Sequence, residues 1–409
     1  MADPIESTPH TNGPVVLQAA EAEVVNAIRR SGPLSRTDLA RKLGYSRANI
    51  TGTIAGLLAR GILLEIGPGV SQGGRRPVLL ALNGQVGYVA GVDLGATSVD
   101  LALADFNGQI LERFSEPADV RDAPEVGLSR ICEILLELAG RRGLTPAQVI
   151  GIGIGVPGPV EFQKGVLIAP PLMPKWEGFS IKDFVRQSFP LAQVVVDNDV
   201  NVMAIGEQHA GAGKDIENFI FIKIGTGIGS GIICKGQIYR GSDGCAGDVG
   251  HICVDYNGPL CHCGNPGCLE AMAAGPPIAA RAREATLAGL SEFLAKRLAA
   301  KNHLTAEDVG QAAAAGDGVA NEIIKDSGRM IGAMLAGLVN FFNPRLILIG
   351  GGVSKIGYKL LSAIRQAVLR RSTALSTRAL RIEFSHLGDD AGVVGAIRLA
   401  LDHVFVVQN

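Results

Sequence analysis

Residues 247–251 read Gly-Asp-Val-Gly-His, and residues 261–270 read Cys-His-Cys-Gly-Asn-Pro-Gly-Cys-Leu-Glu. This stretch holds three of the seven cysteines of the chain within eight residues. An odd number of cysteines argues against a framework of disulfides. Three thiolates and one imidazole can bind Zn²⁺ in a closed tetrahedral site, and a ligand set without oxygen favours zinc as a structural ion. The spacing therefore predicts a structural zinc site on His251, Cys261, Cys263 and Cys268.

Two alternatives stay open for these cysteines. His262 could replace His251 as the fourth ligand, but it stands between two proposed ligands and would have to turn back on itself. The cysteines could also be reduced and buried without any metal. Glu270 follows the last cysteine by two residues, so a bound metal would fix the position of a carboxylate.

Two glycine-rich turns each follow an apolar stretch that predicts a β-strand. Gly95-Ala96-Thr97 follows residues 89–94, and Gly225-Thr226-Gly227-Ile228-Gly229 follows residues 219–224. Turns of this kind present backbone N–H groups and a hydroxyl, which suit an anionic phosphate. One such turn is usually only structural. The two copies, about 130 residues apart, predict a two-lobed protein with a phosphate in the cleft between the lobes.

Further apolar strands are predicted at residues 149–156, 194–196 and 346–349, and they alternate with helices. This alternation indicates an α/β architecture. At the end of the third strand, Gly351 could let the backbone approach the adenosine of a nucleotide. Asp199 follows the second strand and could act as the general base that takes a proton from a sugar hydroxyl during phosphoryl transfer. It could equally accept only a hydrogen bond from a bound sugar.

Residues 21–83 have the pattern of a winged helix-turn-helix. Helices are predicted at 21–31, 36–43 and 47–60, and strands at 62–66 and 78–82. The segment has nine basic and four acidic residues, a net charge of +5, in a chain of net charge −1. A basic module on an acidic body indicates nucleic acid bound at one end. The alternative is a protein-interaction module whose arginines face water.

The predicted DNA contacts lie on the third helix and at the tip of the wing. They are Ser46, Arg47, Asn49, Thr51, Thr53, Arg75 and Arg76. Residues 1–20 are predicted to be a disordered tail. Because neither a signal peptide nor an uninterrupted apolar run of about 18 residues is visible, we expect a cytoplasmic protein without a membrane partner.

The segments 247–251 and 261–270 resemble the signature of the ROK family (repressors, open reading frames and kinases), and the resemblance runs from about residue 22 to residue 402. It implies an actin-like ATPase (ribonuclease-H-like) fold, zinc on His251 and the three cysteines, and a homodimer or homotetramer. The first lobe would span 84–200 and be completed by a helix at about 389–405, and the second would span 201–388. The winged helix indicates the regulator branch, similar to xylose and N-acetylglucosamine repressors, with operator DNA and a sugar effector as partners.

The resemblance also implies roles for residues in the cleft. In a kinase of this family the base would be Asp199, and Asp93 would lie near the magnesium of Mg-ATP. The implied sugar-binding residues are Asn198, Asp199, Asp248, His251 and Glu270. The implied phosphate-binding and nucleotide-binding residues are Asp93, Gly95, Thr97, Gly225, Thr226, Gly227, Gly229 and Gly351.

Three positions depart from the kinase pattern. Ala96 stands where these kinases have a second glycine, Asp248 where they have Glu, and Pro171 where Asn is common. Each change would weaken catalysis or alter the choice of sugar, but Asp199 and Asp93 are kept. We therefore predict a sugar-responsive DNA-binding regulator of carbohydrate metabolism, acting as a repressor. The alternative is an ATP-dependent sugar kinase that uses glucose or an N-acetylhexosamine, with or without a regulatory role.

Overall fold

The computed structural model describes residues 15–69 and 76–408. The N-terminal part, called the head below, is a three-helix unit with a small sheet of order β2-β4-β3. Its elements are β1 (Val15–Gln18), α1 (Ala19–Ser31), β2 (Leu34–Ser35), α2 (Arg36–Leu43), α3 (Arg47–Ala59), β3 (Leu63–Pro68) and β4 (Val78–Leu82).

Local capping explains where the head helices begin and end. The Ser35 hydroxyl accepts the N–H of Asp38 at the start of α2, and the Ser46 hydroxyl accepts the N–H of Asn49 at the start of α3. Gly44 ends α2 with φ 73°, a conformation that favours glycine. Helix α3 buries its apolar stripe against the other helices, and β3 and β4 form the wing. The predicted winged helix-turn-helix is therefore confirmed.

The prediction of a disordered tail through residue 20 is wrong for its last part. Val15–Gln18 forms a strand that pairs in parallel with β17 (Phe405–Gln408) at the opposite end of the chain. Val15 and Leu17 are buried, whereas the two residues that alternate with them are exposed. A four-residue strand gives a weak signal in the sequence, because its partner is almost 400 residues away. Residues 1–14 lie outside the described residues.

The body has two five-stranded sheets with the same order of strands. In each, three antiparallel strands are followed by two parallel ones. The first lobe has the sheet order β11-β8-β5-β6-β7 and the second has β14-β13-β12-β15-β16. This repeated arrangement is the two-lobed α/β fold that was predicted.

The first lobe holds β5 (Tyr88–Leu94), β6 (Ser98–Asp105), β7 (Ile110–Pro117), α4 (Pro124–Arg141), β8 (Val149–Val156), β9 (Val160–Glu161), β10 (Val166–Leu167), α5 (Ile181–Ser188) and β11 (Gln193–Asn198), and α6 (Asp199–Ala210) leads from it to the second lobe. The second holds β12 (Phe219–Ile224), β13 (Ile228–Cys234), β14 (Gln237–Tyr239), α7 (Leu269–Ala273), α8 (Gly275–Leu287), α9 (Glu292–Lys301), α10 (Ala306–Ala314), α11 (Gly318–Phe342), β15 (Leu346–Gly350), α12 (Tyr358–Arg371), α13 (Ala374–Thr377) and β16 (Arg381–Phe384). The chain ends with α14 (Ala391–His403) and β17.

Helices α6 and α14 cross closely where the two lobes meet. A Cβ atom on Gly395 would lie 1.8 Å from the backbone oxygen of Val202, so only glycine permits this approach. Helix α14 also packs on the sheet of the first lobe, and it shares one hydrophobic core with the head. Head and first lobe are thus joined by a common core. Within the described residues, no helix is long and apolar enough to cross a membrane.

Candidate functional site

A cavity of about 1210 Å³ lies between the two lobes. It forms where the strand ends of both sheets and the loops that follow them face each other. Every residue predicted to bind sugar, phosphate or nucleotide lines this cavity, as do the three positions that depart from the kinase pattern. They are Asp93, Gly95, Ala96, Thr97, Pro171, Asn198, Asp199, Gly225, Thr226, Gly227, Gly229, Asp248, His251, Glu270 and Gly351.

The two glycine-rich turns join neighbouring antiparallel strands, the first between β5 and β6 and the second between β12 and β13. In the first turn the N–H of Gly95 donates to the oxygen of Ser98 at 2.8 Å. In the second, the N–H of Gly225 donates to the oxygen of Gly227 at 2.9 Å. The strand after the second turn already begins at Ile228, so Gly229 belongs to this strand rather than to the turn.

Glu270 links the second turn to the cysteine cluster. Its carboxylate accepts the N–H of Ile228 at 2.9 Å. A Cβ on Gly227 would lie 2.5 Å from the same carboxylate, so the turn needs glycine at this position. Because Glu270 stands two residues after Cys268, the position of this turn depends on the loop that carries the cysteines.

His251, Cys261, Cys263 and Cys268 form a compact cluster, in which all four potential ligand atoms lie within 4.8 Å of one another. Nδ1 of His251 lies 3.6 Å from Sγ of Cys261, and the Sγ atoms of Cys263 and Cys268 are also 3.6 Å apart. Separations of this size fit four ligands around one tetrahedral ion. His262 is exposed and is not part of the cluster.

The surroundings of the thiols suit a bound cation. The backbone N–H of Asn265 lowers the pKa of Cys263 to about 7. Burial raises the pKa of Cys261 and of Cys268, so these two groups stay protonated unless a positive charge stabilises their thiolates. The cluster can therefore hold a metal ion.

Asn198 and Asp199 lie at the junction of β11 and α6. The side chain of Asn198 caps α6 by accepting the N–H of Val200 at 2.9 Å, and its amide donates to the oxygen of Gly158 at 3.0 Å. The carboxylate of Asp199 is 5% exposed and forms an ion pair with Lys223, with 2.5 Å between Oδ2 and Nζ.

Lys223 is the site residue that the sequence analysis missed. It stands on β12, two residues before the second turn, in a strand whose other members are Phe and Ile. Burial lowers the pKa of Lys223, but the carboxylates of Asp199 and Asp93 outweigh it and raise that pKa above its usual value. A lone lysine in an apolar strand beside a glycine-rich turn was a signal available in the sequence.

Asp93 is the penultimate residue of β5 and lies buried in the cleft. Burial raises its pKa to about 7, against the lowering effect of Lys223. Its Oδ1 has no hydrogen-bond partner among the described residues. A Cβ on Gly392 would lie 1.8 Å from Oδ2, so the first turn of α14 packs directly on this carboxylate.

Asp248 lies at the open side of the cleft, where its side chain is 53% exposed. Its Oδ1 is 3.7 Å from Nε2 of His251. Since Nδ1 of the same ring faces Cys261, the imidazole stands between the cysteine cluster and the cavity.

The predicted DNA contacts lie on the outer side of the head. Ser46, Arg47, Asn49 and Thr51 are exposed, and Thr53 is half-buried. The Thr51 hydroxyl donates to the oxygen of Arg47 at 2.7 Å within the helix. Arg76 is exposed and lies two residues before the start of β4, and Arg75 lies outside the described residues.

Comparison with known proteins identifies the family. The model of the ROK family matches residues 89–403, more than half of the chain. The chain belongs to the ROK family. The match begins just after the winged helix, so the head is an addition to the body that defines this family.

Relatives along almost the whole chain are transcriptional regulators. A xylose repressor from Caldicellulosiruptor bescii is 32% identical over 395 residues, 95% of this chain and 97% of that protein. The crystal structure of a ROK family transcriptional regulator, a homologue of the Escherichia coli Mlc protein, matches with a TM-score of 0.80 and 28% identity over 94% of this chain and 96% of that one. The predicted regulator branch and the predicted actin-like fold are therefore confirmed.

Sugar kinases match the body. A ROK family glucokinase from Streptomyces griseus, solved with glucose and AMPPNP, matches with a TM-score of 0.67 and 33% identity, covering 77% of this chain and 99% of that one. The body of this regulator is thus built like an enzyme.

Proposed function

We propose that this ROK protein is a sugar-responsive repressor that binds operator DNA through its head and a sugar in the cleft of its body. The observation that carries the proposal is the shared core of the head and the first lobe, with α14 reaching from this core to Asp93 in the cleft. A ligand that moves the lobes would also move the head. Residues 21–83 would be the DNA-binding domain, 84–200 with the helix at about 389–405 the first lobe, and 201–388 the second.

The DNA would be read by the exposed face of α3. Arg47 and Asn49 are of the types that contact phosphates and base edges in the major groove. Ser46, Thr51 and Thr53 would add phosphate or sugar contacts, and Arg75 and Arg76 would reach the minor groove from the wing. A homodimer or homotetramer would place two heads on a two-fold symmetric operator. The protein would act in the cytoplasm.

The sugar would be held by polar groups from both lobes. Asn198 and Asp199 would contribute from the first lobe, and Asp248, His251 and Glu270 from the second. Zinc on His251, Cys261, Cys263 and Cys268 would be structural, fixing His251 and Glu270 on opposite ends of one loop. The shorter Asp248 and the missing amide at Pro171 would change which sugar hydroxyls are recognised.

A direct test measures binding to the protein's own promoter region and to random DNA at several salt concentrations, with and without a panel of pentoses, hexoses, amino sugars and their phosphates. We expect a clear preference for the promoter, a loss of affinity with rising salt, and a change of affinity with one class of sugar. Arg47→Ala should weaken promoter binding by about 1–3 kcal/mol. Arg41→Ala, which removes an exposed charge on α2, is the matched control. Equal binding to random DNA would refute the proposal.

A second candidate function is phosphorylation of a hexose by Mg-ATP. It is supported by the presence of Asp199, Asp93 and both glycine-rich turns around one cleft. Incubation with Mg-ATP and the same panel of free sugars tests it through the release of ADP. Turnover that is lost in Asp199→Asn would support a kinase function. Sugar binding without turnover would exclude the kinase function and leave only the regulator function.

A further inference from the structure

The ion pair of Lys223 and Asp199 lies where chemistry would occur in a kinase of this shape. Both oxygens of the Asp199 carboxylate are engaged: Oδ1 accepts the N–H of Val200 at 2.9 Å, and Oδ2 accepts the ammonium of Lys223 at 2.5 Å. The two side chains come from different lobes, Asp199 from the start of α6 and Lys223 from β12. Each oxygen keeps a second lone pair that can accept a sugar hydroxyl, but one lone pair of Oδ2 is already directed at a cation.

Lys223 also balances the second carboxylate of the cleft. Asp93 is 6% exposed and its Oδ1 is unpaired among the described residues. Lys223 interacts with the charges of both Asp93 and Asp199, and its own side chain is only 20% exposed. One ammonium thus serves two buried carboxylates, that of Asp93 on β5 and that of Asp199 at the start of α6.

A magnesium ion at this place would need the same carboxylates. Mg²⁺ requires octahedral oxygen ligands at about 2.0–2.1 Å and keeps several of its waters. An ammonium that already touches Asp199 occupies part of this space. It also repels a divalent ion strongly at such short range, because little solvent separates the charges. The unpaired Oδ1 of Asp93 could bind a cation, but the ammonium of Lys223 makes the site unsuitable for a metal ion.

We propose that Lys223 is a resident cation that takes the place of the catalytic metal, so that the cleft binds its sugar without magnesium and does not transfer phosphate. Asp199 then remains a hydrogen-bond acceptor for a sugar hydroxyl rather than a base. This proposal rests on the proposed sugar site. It concerns a position separate from Ala96, Asp248 and Pro171.

The test uses the full-length, zinc-loaded protein with Mn²⁺ as a paramagnetic probe, and thermal unfolding with and without MgCl₂ at constant ionic strength. The wild type should bind Mn²⁺ only weakly in the cleft and show no shift of Tm with MgCl₂. Lys223→Met should unfold at a lower temperature, bind Mn²⁺ at least about a hundredfold more tightly than the wild type, and recover stability when MgCl₂ is added. Adding Asp93→Asn to Lys223→Met should abolish the gain.

The matched control is Lys355→Met, which removes another lysine that lines the cavity but pairs with Asp389. It should behave like the wild type. If Lys223→Met does not fold, Lys223→Gln provides the neutral variant, and Lys223→Arg should exclude Mn²⁺ as the wild type does. Equal Mn²⁺ affinity in the wild type and the neutral variant would overturn the proposal. Because this readout needs neither DNA nor sugar, it is separate from a failure of the proposed regulator function.

Discussion

The cysteine cluster and the Lys223–Asp199 ion pair both border the cleft, the cluster through His251 and Cys263, but they hold different parts of the molecule together. The four residues of the cluster lie within one loop region of the second lobe, and their contacts span at most 17 residues. The ion pair instead connects the two lobes through side chains of β12 and α6. The cluster therefore stabilises one wall of the cleft, whereas the ion pair holds the two walls in position relative to each other. Loss of either should affect sugar binding, but by different routes.

The largest expected effect comes from breaking the cluster. Cys268→Ser removes a buried thiol from the centre of the proposed zinc site. We expect loss of the bound zinc and a fall in the free energy of unfolding of more than about 5 kcal/mol, since structural zinc contributes about 10–16 kcal/mol in small zinc domains. Sugar binding should be lost as well, because Glu270 and the turn that it holds would move. Metal content, urea unfolding and sugar titration measure these three effects.

Cys253→Ser is the control for that substitution. Cys253 is exposed and pairs with Cys268 through a backbone bridge, but it is not one of the four clustered residues. It should retain zinc, stability and sugar affinity. If both variants kept their zinc, the ion would have to be bound elsewhere.

The same contrast explains what could be predicted from the sequence. The cluster, both turns and the capped helices of the head depend on residues that are close in the chain, so spacing alone places them. The winged helix and the α/β body were predicted for this reason, and β4, β8 and β12 have the predicted limits.

Contacts between distant residues could not be predicted in this way. Lys223 can pair with Asp199 only because the fold places β12 beside the end of β11. Nothing in the sequence around Lys223 specifies this contact. The pairing of β1 with β17 could not be predicted for the same reason, because the two strands lie at opposite ends of the chain. The contact of Arg29 with Leu401 spans 372 residues and equally has no trace in the sequence. These long-range contacts join the head, the first lobe and the cleft, the parts that would communicate in the proposed regulator.

Asp93, which lies beside the Lys223–Asp199 ion pair, makes the stability of the protein depend on pH. Its pKa is raised from 3.8 to about 7 in the folded protein, chiefly by burial. Between these values the unfolded chain loses a proton that the folded protein keeps, so stability falls as the pH rises from about 4 to 7. Asn does not titrate. Asp93→Asn should therefore gain stability over the wild type as the pH rises, on the order of 3 kcal/mol by pH 8.

Urea unfolding of both proteins at pH 4.5 and pH 8 measures this difference, and Asp100→Asn is the control. Asp100 lines the same cavity but is only half-buried. A stability difference between Asp93→Asn and the wild type that stayed constant across the two pH values would contradict the argument.

The smallest expected change in stability, and the one most specific to communication, comes from Arg29. Its guanidinium donates to the oxygen of Leu401 at 2.7 Å and lies between two rings, 5.0 Å from the centre of Phe106 and 4.8 Å from that of Phe405. Burial, with the nearby charge of Arg398, lowers its pKa to about 9, so the favourable contacts are largely offset by the cost of burying the charge. Arg29→Met should therefore change the free energy of unfolding by only about 1 kcal/mol.

Its effect on the sugar response should be larger. Arg29 belongs to α1 of the head, and Leu401 belongs to the end of α14 opposite to the turn that packs on Asp93. In the proposed regulator, a shift of α14 caused by sugar would reach the head through this contact. Allosteric coupling of this kind is typically about 1–3 kcal/mol, a change in affinity of about 5-fold to 150-fold. In Arg29→Met, the change in the free energy of promoter binding caused by sugar should be less than about half of the change seen in the wild type. Promoter affinity without sugar should stay close to normal.

Arg30→Met removes an exposed charge from the next position of the same helix and should respond to sugar as the wild type does. DNA-binding titrations at a fixed salt concentration compare the three proteins, and an unchanged sugar response in Arg29→Met would show that α14 signals to the head through the other contacts of their shared core.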